Sequence, residues 1–509
     1  MAYHLRNYLD ELRERGELLE IDEEVDWRLE AAAIITLSAR MNGPVLLFNN
    51  IKGYPEGYRL VSNVYAGQYK KPFRRLALAI GLDPNVSSAE FLRQFGERFR
   101  SPIKPVEVST GRCKEVIKTG KDVNLFELPW PYISVGDGGR YSLSQAIITK
   151  DPDTNWVNWG NYRTIIHSRN RCATNPLPGA QINRIYEEKY QKRGKSMPIA
   201  IALGGDPTIF MVSGASLPEG VSEADVAGGL RGAPLELVRC ETSDLLVPAD
   251  AEIVIEGEVR PYERLPEGPE AEAFLFQSGP RGPAMAIRVH CVSHWKDPIL
   301  PTLVQTHLGD AQSFYVSMIG FAISMPLMMP PFSGPVKMGG GLPSPVLPGG
   351  VISTAVPYEG FLAEAASLVF SGTTGMRYDN MWFIDEDVDP TEYEQVYEEI
   401  FANINPKLDI HQTDNWTYHH IVNSNWIEPW DRDKYSIEKA LLSTKRWWDC
   451  RTKNNRIVKR ATFETCFPEH IQKWVVENWE KFGFKEEPMW NKAYQEMKPR
   501  VSPDEFKVF

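Results

Sequence analysis

The chain has 509 residues, 42% of them apolar and 24% charged, with a formal net charge of −11. That length exceeds what one hydrophobic core organises and implies two or three domains. The acidic balance excludes a general nucleic-acid binder, which needs a basic excess to neutralise phosphates.

The amino terminus sets Leu5, Tyr8, Leu9 and Leu12 at helical spacing among arginines and glutamates, an amphipathic helix and not a signal peptide. Val45 to Phe48 followed by Asn49-Asn50 predicts a buried strand and turn, and Ser87 or Ser88 caps a helix that starts there. From Leu128-Pro-Trp-Pro131 the texture changes to short strands at 142–149, 156–166, 198–203, 208–212, 235–238, 251–259 and 284–289. Strands this close, separated by Gly and Pro turns, predict a barrel-like sheet. Within 251–259, Ile253, Ile255 and Val259 alternate with Glu252, Glu256 and Glu258, the period of a half-buried strand.

Residues 311–336 carry no charge, but Pro326, Pro330, Pro331 and Pro335 break the run before it reaches the roughly 20 apolar residues of a membrane span. The stretch predicts a buried joining helix, and the Gly/Pro-rich 330–350 a connection or lid. A helix over 360–372, a strand at 381–384 and a helix opened by Asp389 and Pro390 and running to about 404 predict a separate α/β domain. Residues 468–482 form a last amphipathic helix, stopped by Gly483. The six cysteines, at 113, 172, 240, 291, 450 and 466, lie far apart and read as free thiols in a reducing compartment, which places the protein in the cytoplasm.

The chemistry centres on Leu265-Pro-Glu-Gly-Pro-Glu-Ala-Glu272, between two apolar runs. Two prolines and a glycine stiffen this loop and fix where Glu267 and Glu272 point, which makes them candidates for acid chemistry. Taken alone, Glu267, Glu270 and Glu272 read as solvated loop charges. Asn158-Trp-Gly-Asn-Tyr-Arg163 ends a strand-like run on an arginine. A regular strand sends Asn158 and Arg163 to opposite faces, so they meet different partners or the strand is irregular between them. Lys445, Arg446, Arg451, Lys453, Arg456, Lys459 and Arg460 form a basic cluster, read as solvated or at a subunit contact, with the phosphates of a CoA thioester as the alternative. His419 and His420, near Trp416 and Trp426, read as interface packing, with pocket lining as the alternative.

These segments resemble the UbiD family of flavin-dependent decarboxylases. The motifs Asn158-Trp-x-x-x-Arg163, Gln181-Ile-x-x-Ile185, Gly220-Val-Ser-Glu-Ala224, Leu235-Glu-Leu-Val-Arg-Cys240, Asp244-Leu-Leu-Val-Pro248, Glu267-Gly-Pro-x-x-Glu272, Asp385-Glu-Asp-Val-Asp-Pro390 and Glu477-Asn-Trp-Glu-Lys-Phe-Gly-Phe484 occur in the family's order. The resemblance implies an α+β fold: an N-terminal support region over 1–110, a split β-barrel binding prenylated FMN over 111–310, a linker over 311–350, and a C-terminal α/β oligomerisation domain over 351–509. It implies a reversible decarboxylase of an aromatic or heteroaromatic acid, free or as an aryl-CoA thioester, acting as a homodimer or larger homo-oligomer and supplied with cofactor by a flavin prenyltransferase.

The implied catalytic residues are Arg163, Glu267 and Glu272: the arginine holds carboxylate and flavin and keeps Glu267 ionised, and Glu272 returns a proton to the vacated carbon. The implied cofactor-binding positions are Asn158, Trp159, Gly160, Asn161, Tyr162, Arg163, Ala180, Gln181, Ser213, Gly214, Ala215 and Glu223. Asn158, Gln181 and Glu223 match the ligands of a divalent ion, Mn²⁺ first with Mg²⁺ or Fe²⁺ as alternatives. Trp159, Val212, Ser213, Ala215 and Glu223 match those of K⁺ or Na⁺. Gln181 stands where the family has histidine, and its neutral carbonyl oxygen suits hard cations. Thr373, with Arg377 nearby, stands where the family has a phosphate-contacting lysine, and Ala271 replaces a glycine. The alternative from another class is a non-catalytic flavin carrier or assembly subunit of a carboxylase complex; a plain FMN oxidoreductase is the third option.

Overall fold

The computed structural model describes residues 3–62, 64–65, 72–176, 180–215, 217–271, 282–304, 327, 330–341, 349–371, 379–417, 442–452, 463 and 467–483. The first helix, Leu5–Glu14, buries Leu5, Tyr8, Leu9 and Leu12, and the helix Ser88–Phe99 is capped by Ser87, whose hydroxyl accepts the Glu90 amide at 3.3 Å. A small sheet orders Leu18–Ile21, Val45–Phe48, Arg59–Ser62 and Ile299–Pro301, so the chain returns to the N-terminal region after the central sheet is complete.

The central sheet has ten strands. Its path runs Arg140–Ser142, Thr164–Ser168, Arg171–Thr174, Gly282–His294, Ile253–Val259, Met197–Leu203, Ala146–Lys150, Val157–Gly160; Arg264–Glu267 and Val116–Thr119 also pair with the long Gly282–His294 strand. The first and seventh strands of this path are joined through residues 143–145 alone, and the eighth and second through 161–163 alone. Six strand spacings cover roughly 29 Å in a flat sheet, whereas a three-residue connection reaches at most about 14 Å. The sheet must therefore curl into a half-barrel, and those two short connections form its seam. Gln145 laces them together, donating from Nε2 to the Tyr162 carbonyl at 2.6 Å and to Thr164 Oγ1 at 2.8 Å.

The expected continuous strands 142–149 and 156–166 are each broken at this seam, which resolves the Asn158–Arg163 question in favour of an irregular run. The expected strand 208–212 is instead the helix Pro207–Ser213, opened by Asp206, which caps Thr208 N at 2.8 Å. All seven of its residues are buried, so it carries no helical period to read. The strand Ile253–Val259 is covered on both faces, contrary to its alternating pattern. Glu252, just ahead of it, pairs with Arg6 at 2.8 Å, and Glu256 accepts Glu241 N at 2.9 Å and Thr242 N at 2.7 Å. Five cysteines, 113, 172, 240, 291 and 450, are buried free thiols.

The C-terminal sheet orders Val336–Gly341, Gly349–Thr354, Asn380–Ile384, Leu442–Asp449 and Ile410–Thr417, so part of the supposed 330–350 loop is strand. Met381 and Phe383 pack on one face with the helix Phe361–Ser371, and Trp382 and Ile384 on the other with Tyr393–Asn403. Asp389 closes a turn on Thr391 N at 2.8 Å, and the helix after it begins at Tyr393 with Glu392 at its N-cap. Lys445 is not a solvated charge: it is 1% exposed and pairs with Asp379 at 3.1 Å. Arg451 pairs with Asp449, and Arg446 bonds Gln412. The last helix among the described residues is Glu469–Glu477, followed by the 3₁₀ turn Trp479–Phe482 with Gly483 at its C-cap. The bulk of the uncharged run, Thr373, Arg377, His419, His420, Trp426, Lys453, Arg456, Lys459, Arg460 and Cys466 lie outside the described residues. No helix among the described residues is long and apolar enough to cross a membrane.

Candidate active site

Two buried clusters flank the break at 161–163. The first gathers around Arg163. Its Nε lies 2.9 Å from Glu267 Oε1, its Nη2 donates to Glu267 Oε2 at 3.0 Å, and its Nη1 lies 2.6 Å from Glu270 Oε2. Both glutamates are 1% exposed. Glu267 also accepts the Tyr141 hydroxyl at 3.0 Å and Asn175 Nδ2 at 2.9 Å. Three hydrogen bonds, from Nη2, the Tyr141 hydroxyl and Asn175, thus hold its two oxygens beside the ion pair with Nε.

The backbone explains why Glu267 is held inward. It ends the strand Arg264–Glu267, after which Gly268 takes a φ of +84°, open to glycine. The loop before Tyr141 clasps this turn: Gly138 N donates to the Pro269 carbonyl at 2.7 Å, Tyr141 Oη accepts Gly268 N at 3.0 Å, and Asp137 accepts Ala271 N at 2.8 Å. A Cβ on Gly138 would sit 2.3 Å from the Gly268 oxygen, so only glycine allows this approach. Burial pushes the Asp137 carboxyl up to about 6, against the lowering effect of the amides it accepts. Glu272 lies outside the described residues.

The second cluster joins Asn158, Gln181 and Glu223. Asn158 Nδ2 donates to Gln181 Oε1 at 2.8 Å and to Glu223 Oε1 at 3.3 Å, and Trp159 N donates to Glu223 Oε2 at 3.0 Å. Glu223 opens the helix Glu223–Arg231, and Gln181 opens Gln181–Arg184 directly after Ala180. Glu223 is 1% exposed, and burial pushes its carboxyl up to about 7, with the Trp159 and Asn158 bonds acting in the opposite direction. Asn158 Oδ1 and Asn161 Oδ1 are buried without a hydrogen-bond partner among the described residues. Asn161 N donates to the Ser213 carbonyl at 2.8 Å, and Ala215 N to that of Val212 at 3.0 Å, which sets the turn through Gly214 against the seam. At Gly160 a Cβ would lie 2.3 Å from the Tyr162 ring, so the glycine leaves that ring its place.

This second set fits a hard cation. Asn158 meets two oxygens with its NH₂ group while its own oxygen stays buried and unpartnered, so exchanging the two amide atoms yields three oxygen donors, one of them anionic. Among the described residues no group of three His, Cys, Asp or Glu is placed to bind a metal; the donor set here is two amides and one carboxylate. Tyr141, Asn175, Gln145, Asp137 and Glu270 were given no role by sequence reasoning. Asp137-Gly138-Gly139 carries a turn signal, but nothing in it names the loop that it clasps.

The chain matches the three domain models of 3-octaprenyl-4-hydroxybenzoate carboxy-lyase: the N-terminal domain over residues 9–99, the Rift-related domain over 104–307 and the C-terminal domain over 346–425. It is 29% identical to pyrrole-2-carboxylic acid decarboxylase of Pseudomonas aeruginosa across 95% of this chain and 99% of that one. It is 32% identical to a phenolic acid decarboxylase of Streptomyces sp. (strain D7) across 81% and 86% respectively. The UbiD-class enzyme HmfF from Pelotomaculum thermopropionicum, solved in complex with FMN, superposes with a TM-score of 0.77 at 25% identity, covering 92% of this chain and 98% of that one. By sequence and by fold, the chain belongs to the UbiD family of prenylated-FMN-dependent carboxy-lyases.

Proposed function

We propose that the protein removes or adds the carboxyl group of an aromatic or heteroaromatic acid, with Arg163, Glu267 and Glu272 as its catalytic residues. The observation that carries this reading is Arg163, held against Glu267 by two contacts at 2.9 and 3.0 Å in a buried setting. Breaking a ring carbon–carboxylate bond leaves an electron pair on an sp² carbon, and bound prenylated FMN supplies the sink for it. The guanidinium, 14% exposed between carboxylates that are 1% exposed, is the member of the cluster open to a carboxylate from outside. Tyr141, Asn175 and the clasp at Gly138 keep Glu267 from turning away. Glu272 is proposed as the acid that protonates the vacated carbon.

Asn158, Gln181 and Glu223 are proposed to hold Mn²⁺ or Mg²⁺, and Trp159, Val212, Ser213, Ala215 and Glu223 K⁺ or Na⁺, which would supply positive charge to offset that of the cofactor phosphate. Asn161 Oδ1 and Tyr162, beside them, suit the cofactor itself. Oligomerisation through the C-terminal part is also proposed; Phe467, Trp474 and Phe482, each about half exposed, provide apolar surface for it.

The test is turnover by protein produced with prenylated FMN on a panel of pyrrole, furan and phenolic acids and their CoA thioesters, read by exchange of the carboxyl group with labelled CO₂. Exchange is expected for at least one acid. Flavin loading without exchange anywhere in the panel favours the carrier reading. Glu272→Gln is expected to bind flavin normally and to lose turnover by about 10²-fold or more, and normal turnover in it removes Glu272 from the proton-donor role.

A further inference from the structure

Arg163 holds two carboxylates, and the second has no part in the reaction as read above. Glu267 occupies Nε and Nη2, while Glu270 occupies Nη1 at 2.6 Å. Among the described residues, the Tyr141 hydroxyl and Asp137, which accepts the amide of the residue next to Glu270, face this pair from the packed elements. Among the described residues one guanidinium serves two glutamates, a charge of −1 with both ionised, before any substrate enters. A substrate carboxylate brings a second uncompensated negative charge, which burial strongly disfavours. An arriving acid that takes Nη1 competes there with Glu270. Both conflicts are relieved by one event.

Resting on the decarboxylase reading, we propose that Glu270 couples substrate entry to proton uptake: the aromatic carboxylate takes Nη1 of Arg163, and Glu270 leaves the pair as the neutral acid. The balance of the reaction agrees. Aryl carboxylate plus one proton yields arene plus CO₂, the electron pair of the broken C–C bond ending in the new C–H bond. Uptake on Glu270 brings that one proton into the pocket at the binding step. Glu270 thereby also sets specificity, since a neutral isostere of the acid gains nothing from releasing Nη1.

Isothermal titration calorimetry of the prenylated-FMN holoenzyme with benzoate, in two buffers of different ionisation heat between about pH 5.5 and 8.5, tests this. About one proton is expected to be taken up per benzoate bound, with affinity falling up to about tenfold per pH unit at the alkaline end. Benzamide should bind without uptake. Glu270→Gln is expected to bind benzoate with little dependence on pH and at least about tenfold more tightly than wild type at the alkaline end, because the amide yields Nη1 without a proton. Glu270→Asp, which keeps a titrating group, should retain uptake. Wild-type binding without uptake overturns the proposal and leaves the decarboxylase reading standing. An unchanged pH slope in Glu270→Gln assigns the proton to Asp137 or Glu272 and also overturns it. Should Glu270→Gln not fold, wild-type uptake and Glu270→Asp decide. Failure of benzoate to bind at any pH, together with no turnover on the acid panel, removes both.

Discussion

Glu267 and Glu223 are both 1% exposed and lie on either side of the same break in the barrel, yet their surroundings are opposite. Glu267 has a guanidinium, a phenol and an amide directed at it. Glu223 has one backbone amide and one side-chain amide, no cationic side chain in its pairings among the described residues, and a carboxyl pushed up to about 7 by burial. A carboxylate met by a cation is balanced in place, whereas a buried carboxylate beside an orphaned amide oxygen leaves room for a positive charge, as the proposed metal site requires. On the proposed reading, the difference separates a site for chemistry from a site for anchoring.

The largest test makes the first pocket resemble the second. Arg163→Met leaves Glu267 and Glu270 buried without their cation, and is expected to lower stability by about 3–5 kcal/mol in chemical denaturation and turnover by about 10²–10³-fold. The reverse test gives the second pocket its cation. Because Glu223 binds its proton more tightly folded than unfolded, the metal-free protein should lose stability as pH rises from about 4.5 to about 7, by on the order of 3 kcal/mol in total. Mn²⁺ should abolish that decline in thermal melts, and Glu223→Gln should remove both the decline and the response to Mn²⁺.

Smaller effects sharpen the contrast. Tyr141→Phe takes one hydrogen bond from Glu267 and one acceptor from Gly268 N, with an expected loss of about 2 kcal/mol and a lower kcat at unchanged flavin content. Gln181→His replaces a hard oxygen donor by imidazole and should raise affinity for Co²⁺ or Zn²⁺ relative to Mg²⁺ by about tenfold, or 1.4 kcal/mol, in metal titrations of the apo-protein.

Residue order alone determined the family, the strand-rich middle, the N-terminal amphipathic helix and the Ser87 cap, because turn chemistry, caps and ordered motifs are local. It also singled out Arg163 and Glu267, through motifs that happen to be short. What tertiary structure decided is everything that depends on enclosure. Glu252 and Glu256 look like solvent-facing positions of an alternating strand, and both are 1% exposed, because Arg6 and the 241–242 backbone reach them from distant parts of the chain. The helix Pro207–Ser213 has no period since no face of it meets water. Glu270 reads as a loop charge until Arg163, far away in sequence, is brought to 2.6 Å. The seam strands are consecutive in sequence, within 140–168, but their places at opposite ends of the sheet path depend on strands supplied from 171–174, 197–203, 253–259 and 282–294, so the local sequence does not show the closure that places a guanidinium between two buried acids.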